Sequence, residues 1–104
     1  MYLDIKASNC VLSEKGHIKL CDFGCSKVLY PAAEYTSVVR SEPTSGPRTR
    51  TFLGSHHIMP VEMLQGRGYG VSVDWWALGV LLFEMITGTP TFDNEQHLVQ
   101  GKVF

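Results

Sequence analysis

Short apolar blocks separated by polar residues predict a small number of secondary structure elements along this chain. Two runs rich in β-forming residues, 9–13 and 17–21, flank the tripeptide Glu14-Lys15-Gly16. Glycine readily adopts the positive φ that a tight turn requires, so the two runs are predicted to form a β-hairpin. The strongest predicted helix covers residues 73–87, because the termination signals Gly88 and Pro90 follow it.

The predicted helix over 73–87 has apolar side chains on every side rather than along one stripe. Such a helix is typical of the centre of a sizeable protein, and we interpret Trp75 and Trp76 as core side chains. The other predicted helices, a short one over 58–65 and a weak amphipathic one over 94–103, are too few to surround it. We therefore expect the chain to be a piece of a larger fold.

Residues 25–57 differ in composition from the rest, since Ser and Thr dominate and Pro and Gly are scattered among them. No period of 2 or 3.6 residues runs through this segment. It cannot bury enough apolar surface to offset the entropy lost on ordering, so we predict a mobile loop. A loop of this length inside a compact domain is usually functional or disordered.

Composition and charge exclude several classes of protein. The 104 residues are 44% hydrophobic and 18% charged, which is typical of a globular chain. A net charge of −1 gives no electrostatic reason to expect nucleic acid or an anionic membrane as a partner. The most apolar stretch, 75–83, is far shorter than the ~20 residues that span a bilayer.

Three cysteines without a secretory signal indicate reduced thiols in an intracellular protein, cytoplasmic or nuclear. An alternative is a zinc site formed by Cys21, Cys25, His56 and His57. Their spacing matches no zinc finger or zinc ribbon, so the alternative is weak.

Polar residues with chemical potential recur in a definite order. Asp4, Lys6 and Asn9 stand at positions i, i+2 and i+5, directly before an apolar run, and Asp22-Phe23-Gly24 follows the predicted hairpin. Further along are Thr51-Phe-Leu-Gly-Ser55 and then Pro60-Val-Glu62. The stretch 73–92 begins Val-Asp-Trp-Trp-Ala-Leu-Gly and ends Gly-Thr-Pro-Thr-Phe.

Over residues 2–92 this series resembles eukaryotic protein kinases, and residues 73–81 resemble the central helix of the AGC group of serine/threonine kinases. The resemblance implies a protein-kinase-like α+β fold, here a partial, mainly α C-terminal lobe with a two-stranded β-hairpin and a long activation loop. The implied parts are a catalytic loop at 2–9, the hairpin at 9–21, an activation segment at 22–62, the central helix at 73–87 and the start of the next helix at 94–103. The N-terminal lobe would be absent.

The resemblance also implies a reaction, the transfer of the ATP γ-phosphate to serine or threonine hydroxyls of a protein or peptide substrate. This reaction depends on positioning and charge neutralisation more than on covalent chemistry. Asp4 would accept the proton of the substrate hydroxyl, and Lys6 would contact the transferred phosphate. Asn9 and Asp22 would hold Mg²⁺, which prefers oxygen ligands.

Five further residues have roles implied by the resemblance. Thr51 would be the activating phosphosite, the target of an upstream activating kinase, and Ser55 would lie beside the acceptor residue of the substrate. Glu84 would bind a substrate arginine. Asp74 would cap the central helix and hold the catalytic loop, and Glu62 would pair with an arginine beyond the last residue of this chain.

Some positions depart from the family pattern. Leu3 stands where the family has an arginine that pairs with the activation-loop phosphate, and Ser8 replaces an acid that binds substrate arginine. A Gly-rich phosphate loop and its strand lysine are missing. We therefore expect this chain alone to be inactive. The alternative to a kinase fragment is a non-catalytic pseudokinase or truncated product that acts as a binding or scaffold module.

Overall fold

The computed structural model describes residues 1–29, 49–51 and 53–92. The elements in chain order are a 3₁₀ turn at Ala7–Asn9, strand β1 at Cys10–Leu12, strand β2 at Ile18–Leu20, a 3₁₀ turn at His56–Ile58, helix α1 at Val61–Leu64 and helix α2 at Ser72–Thr87. The predicted helix over 94–103 and most of the predicted loop over 25–57 lie outside the described residues.

The predicted hairpin is present. β1 and β2 pair antiparallel with Cys10 opposite Leu20 and Leu12 opposite Ile18. The turn is closed by the Gly16 amide, which donates to the Ser13 carbonyl at 2.9 Å, and Gly16 has a φ of 78°. A side chain at this φ would be strained, which explains why the turn contains glycine.

The prediction of one continuous helix over 58–65 is wrong. The segment forms a 3₁₀ turn that ends at Ile58 and a separate helix α1 that begins at Val61. Pro60 lies between them, and proline disfavours helical backbone at the residue before it. Met59 is accordingly extended, with φ −74° and ψ 133°.

Helix α2 begins one residue earlier than predicted and ends at Thr87 as predicted. Gly88 follows in the left-handed conformation, with a φ of 70°, and its amide donates to the Glu84 carbonyl at 2.8 Å. Glycine is favoured in this capping conformation because it has no Cβ to clash with the carbonyl that follows it.

Both tryptophans, which we interpret as core side chains of a larger fold, are exposed within the described part of the chain. Trp75 is 72% exposed and Trp76 is 38% exposed, although Trp76 stacks on Phe92 with ring centroids 6.1 Å apart. The reason is that the described elements cover only one side of α2. Met85 and Ile86, at 54% and 83% exposed, lie on uncovered parts of the same helix.

The buried side of α2 contributes to two apolar clusters. The first, which we call the Leu3 cluster, contains Leu3, Met59, Met63, Tyr69 and Val73. The second contains Ile58, Ala77, Val80 and Phe92. Together they attach residues 1–5 and 58–64 to α2. Across the described ranges, no helix combines the length and apolarity needed to cross a membrane.

Candidate functional site

Asp4 is the centre of a buried polar group that joins two distant parts of the sequence. Its carboxylate accepts hydrogen bonds from the Ser55 hydroxyl at 2.9 Å and the Ser55 amide at 3.1 Å. Lys6 Nζ lies 2.9 Å from the same carboxylate, and Asn9 Nδ2 donates to it at 2.8 Å. Lys6 also donates to the Ser55 hydroxyl at 2.7 Å. Residues 4, 6, 9 and 55 therefore form one connected network.

The network determines the charge state of Asp4. Burial of this carboxyl, which is 6% exposed, acts to raise its pKa, but hydrogen bonds from Lys6, Ser55 and Asn9 and the Lys6 charge act in the opposite direction and prevail. The pKa of Asp4 therefore lies below its usual value. Hydrogen bonds and an adjacent cation stabilise the ionised form, so Asp4 is a carboxylate at neutral pH.

Asp74 holds the backbone that precedes Asp4. Its two carboxylate oxygens accept hydrogen bonds from the Tyr2 amide at 2.7 Å and the Leu3 amide at 2.8 Å. Asp74 lies in the first turn of α2, where a negative charge is favoured by the helix dipole. The helix thus fixes the position of residues 2–4 through one side chain.

Leu3 has an unusual backbone conformation at this point, with a φ of 70°. The conformation is costly for a bulky residue and persists only where surrounding contacts enforce it. Here the Leu3 amide is bound to Asp74 and the side chain is buried in the Leu3 cluster. The Leu3 carbonyl also lies so close to Gly54 that a Cβ at residue 54 would be 2.4 Å from its oxygen.

Asn9 and Asp22 lie at adjacent ends of the hairpin. The Asn9 carbonyl accepts a hydrogen bond from the Cys21 amide at 2.9 Å, and Asp22 follows directly. Asn9 is buried and uses its amide group to donate to the carbonyl and the carboxylate of Asp4. Asp22 is exposed, has a φ of 60° and accepts a hydrogen bond from the Gly24 amide at 3.1 Å.

Tyr2 supports the Asp22-Phe23-Gly24 turn. Its hydroxyl donates to the Cys21 carbonyl, and its ring meets the edge of Phe23 at a centroid distance of 5.2 Å. Burial raises the pKa of the Tyr2 hydroxyl, which keeps it a neutral donor. The structure therefore connects the residues before Asp4 with the residues before Asp22.

Thr51 is exposed and lies beside a lysine that the sequence analysis did not single out. Lys27 Nζ donates to the hydroxyls of both Thr49 and Thr51 at 2.6 Å. The only sequence signal for this residue is a lysine three positions after Gly24, which cannot be distinguished from an ordinary solvated lysine. Phe52 and Arg48, near Thr51 in sequence, lie outside the described residues.

Two other predicted site residues are not part of the Asp4 network as described. Glu84 lies near the carboxyl end of α2, about 15 Å along the helix axis from Asp74 at the usual rise per residue. Glu62 is half-buried in the first turn of α1, and its carbonyl accepts a hydrogen bond from the Arg67 amide at 2.8 Å.

The alternative of a zinc site receives no support from the geometry. Within the described ranges, no three His, Cys, Asp or Glu side chains converge closely enough to hold a metal ion. The three cysteines are free thiols.

Comparison with known proteins shows the family. The protein kinase domain model matches residues 1–103, so the chain belongs to the protein kinase family. Protein kinase 3 of Dictyostelium discoideum is 41% identical over 99% of this chain. The serine/threonine-protein kinase gad8 of Schizosaccharomyces pombe is 43% identical over 91%, and protein kinase C zeta type of Oryctolagus cuniculus is 44% identical over 89%.

These comparisons confirm the predicted resemblance to AGC-type serine/threonine kinases. The similarity covers only a small part of each relative, because the chain spans 12% to 14% of the length of these three proteins. What is established is thus a kinase-like fold in a small two-stranded sheet and a few helices, and homology to enzymes that phosphorylate proteins.

Proposed function

We propose that this chain forms the C-terminal-lobe side of the catalytic site in a serine/threonine protein kinase that transfers the γ-phosphate of ATP to protein hydroxyls. The observation that supports this best is the Asp4 network. A buried carboxylate is held by a lysine, a serine and an asparagine at 2.8 to 2.9 Å. Such a network matches the positioning and charge control that phosphoryl transfer needs.

Asp4 is the group that would receive the substrate hydroxyl. Because its pKa is lowered, the carboxylate is ionised and accepts a hydrogen bond at neutral pH. It would orient the hydroxyl toward the γ-phosphorus and take its proton as the substrate oxygen bonds to phosphorus, while the bond from phosphorus to the bridging oxygen breaks and ADP leaves. The Ser55 hydroxyl donates to Asp4 at 2.9 Å, which supports the proposal that Ser55 lies beside the acceptor residue of the substrate.

Lys6 supplies positive charge at the same place. Its Nζ contacts both Asp4 and Ser55, and its side chain keeps 25% of its surface accessible. When bound, Mg²⁺–ATP supplies the phosphoryl group and the metal neutralises part of its charge. Lys6 would stabilise the remaining negative charge on the transferred group, since an ammonium close to a phosphate acts as a compact point charge.

Asn9 and Asp22 have the donor chemistry that suits Mg²⁺. Both N–H groups of the Asn9 amide are directed at Asp4, so its oxygen faces away from Asp4. Asp22 is exposed, and one of its carboxylate oxygens accepts a hydrogen bond from the Gly24 amide. Amide and carboxylate oxygens are hard ligands, and Mg²⁺ in kinases takes one or two from the protein and others from phosphates and water. We propose that these two residues hold the ion.

Thr51 is proposed as the regulatory phosphosite. A phosphate there would add a charge of about −1.5 to −2, and the Lys27 ammonium, already 2.6 Å from the Thr51 hydroxyl, would pair with it. Glu84 is proposed to contact a basic substrate residue.

We also infer that residues 22–62 form the activation segment of a C-terminal lobe. The protein is further proposed to act inside the cell.

The test is phosphotransfer by a chimera in which residues 1–103 replace the matching segment of Dictyostelium protein kinase 3. We expect incorporation of labelled phosphate into a peptide substrate. Asp4→Asn should lower kcat by about 10²- to 10⁴-fold, because it removes the proton acceptor and keeps the shape. Glu14→Gln, in the exposed hairpin turn, is the matched control and should leave kcat unchanged.

Equal kcat values for the Asp4→Asn chimera and its parent would refute the role of Asp4. A folded chimera without activity would favour the alternative of a non-catalytic binding or scaffold module.

A further inference from the structure

Tyr69 occupies a position that the proposed function does not use. It is 3% exposed, and both of its backbone groups pair with Thr49: the Tyr69 amide donates to the Thr49 carbonyl and the reverse bond is also 2.9 Å. The Tyr69 hydroxyl donates to the carbonyl of Thr51. One residue therefore makes three hydrogen bonds to the segment 49–51.

The ring of Tyr69 belongs to the Leu3 cluster, together with Met59, Met63 and Val73. Leu3 directly precedes Asp4, and its amide is fixed by Asp74 at 2.8 Å. Tyr69 thus contacts the segment that contains Thr51 through its polar groups and the cluster that contains Leu3 through its ring. It joins the two segments without any charged group.

The absence of charge in this connection has a consequence. Burial raises the pKa of the Tyr69 hydroxyl, so the donor remains protonated at neutral pH. Apolar contacts and neutral hydrogen bonds are insensitive to a counter-charge, in contrast to an ion pair between arginine and phosphate. The Lys27 contact with Thr51 is separate, because it involves the side-chain oxygen rather than the carbonyl.

We propose that Tyr69 is a positioning residue that ties residues 49–51 to the catalytic loop through the Leu3 cluster, and that this tie forms without a phosphate on Thr51. The proposal rests on the proposed function for the meaning of Thr51 and Asp4. In this chain, phosphorylation would then turn the existing Lys27 contact into an ion pair, in a segment that is already in place.

The experiment is NMR-monitored hydrogen exchange on the full 104-residue chain, treated with phosphatase and shown by mass to carry no phosphate. The amides of Thr49 and Tyr69 report the tie, and hairpin amides such as those of Leu12 and Leu20 report the rest of the fold. In the unphosphorylated chain we expect both reporter amides to be protected.

Four variants separate the parts of the tie. Tyr69→Phe keeps the ring and removes only the hydroxyl, so exchange at Thr49 should rise about three- to tenfold, the effect of one lost hydrogen bond. Leu3→Ala should raise exchange at both reporters by more than tenfold, and Leu3→Met should restore protection. Glu14→Gln, in the exposed hairpin turn, is the control and should leave both reporters unchanged. Hairpin amides should keep their rates in all of them.

Several results would overturn the proposal. Unprotected reporter amides in the phosphate-free chain, with or without hairpin protection, would show that the tie does not form in the absence of a phosphate. Wild-type exchange in Tyr69→Phe would show that the hydroxyl has no positioning role, and wild-type exchange in Leu3→Ala would exclude the Leu3 cluster. The readout does not involve phosphotransfer, so failure here is distinct from an inactive chimera.

Discussion

The close approach of Gly54 to the Leu3 carbonyl leads to a quantitative prediction for Gly54→Ala. A Cβ at residue 54 would lie 2.4 Å from the Leu3 carbonyl oxygen, about 1 Å inside the 3.4 Å at which ordinary van der Waals contact begins. The oxygen cannot retreat freely, because the Leu3 amide is bound to Asp74 at 2.8 Å. Gly54 also has a φ of 104°, which L-residues rarely adopt.

The magnitude follows from these two costs. An unfavourable φ costs about 1 to 2 kcal/mol for a residue with a Cβ. Forcing a methyl group against well-packed atoms costs a further ~1 to 3 kcal/mol. We therefore expect Gly54→Ala to lower the free energy of unfolding by about 2 to 5 kcal/mol, measured by urea denaturation with linear extrapolation.

A matched control separates the two costs. Gly66 has a φ of 66° but no atom within 4 Å of the added Cβ, so Gly66→Ala should show only the conformational cost of about 1 to 2 kcal/mol. The difference between the two variants then measures the clash with Leu3. If both variants lose the same free energy of unfolding, the close approach of Gly54 to Leu3 contributes nothing and the reasoning is refuted.

Three further predictions concern other contacts. Asp74→Ala leaves the Tyr2 and Leu3 amides without their acceptor and should lower the free energy of unfolding by about 2 to 5 kcal/mol in urea, whereas Ser72→Ala, two residues earlier and exposed, should change it little; equal effects would exclude the anchoring role. Because folding lowers the pKa of Asp4, the stability that its carboxylate contributes is complete above its unfolded pKa and is lost as the pH falls through its folded pKa. In Asp4→Asn, the free energy of unfolding should therefore depend less steeply on pH below about pH 4, and an unchanged pH profile would contradict this. Gly79→Ala, in the interior of α2 with open space around the added Cβ, should raise the melting temperature through a gain of about 0.5 to 1 kcal/mol, and a lower melting temperature would mean that the helix packs there.

The elements that could be predicted from the sequence are those with local signals. Gly16 closes the hairpin and Gly88 ends α2, and both have the positive φ that the turn or cap requires. The prediction of one helix over 58–65 was wrong because it followed the apolar content of the segment, whereas Pro60 interrupts the helix. Trp75, interpreted as a core side chain of a larger fold, is exposed here, since burial depends on which elements surround a helix and not on its own composition.

The site divides in the same way. The identities of Asp4, Lys6, Asn9 and Asp22 as candidates came from resemblance, and their roles remain predictions. Their contacts could not be predicted, because Ser55 meets Asp4 across 51 residues of sequence. Lys27 and Tyr69 have no distinguishing pattern around them, and only the folded chain brings them to Thr51.

The anchoring of Tyr2 and Leu3 by Asp74 also matters for the order in which the molecule forms. These hydrogen bonds close sequence separations of 72 and 71 residues. On a ribosome that adds about 5 to 20 residues per second, Tyr2 and Leu3 would be synthesised about 4 to 14 s before Asp74. The hairpin needs only local contacts and can form during that interval. Residues 2 and 3 are therefore expected to acquire their final conformation late, when α2 emerges and supplies the Asp74 carboxylate.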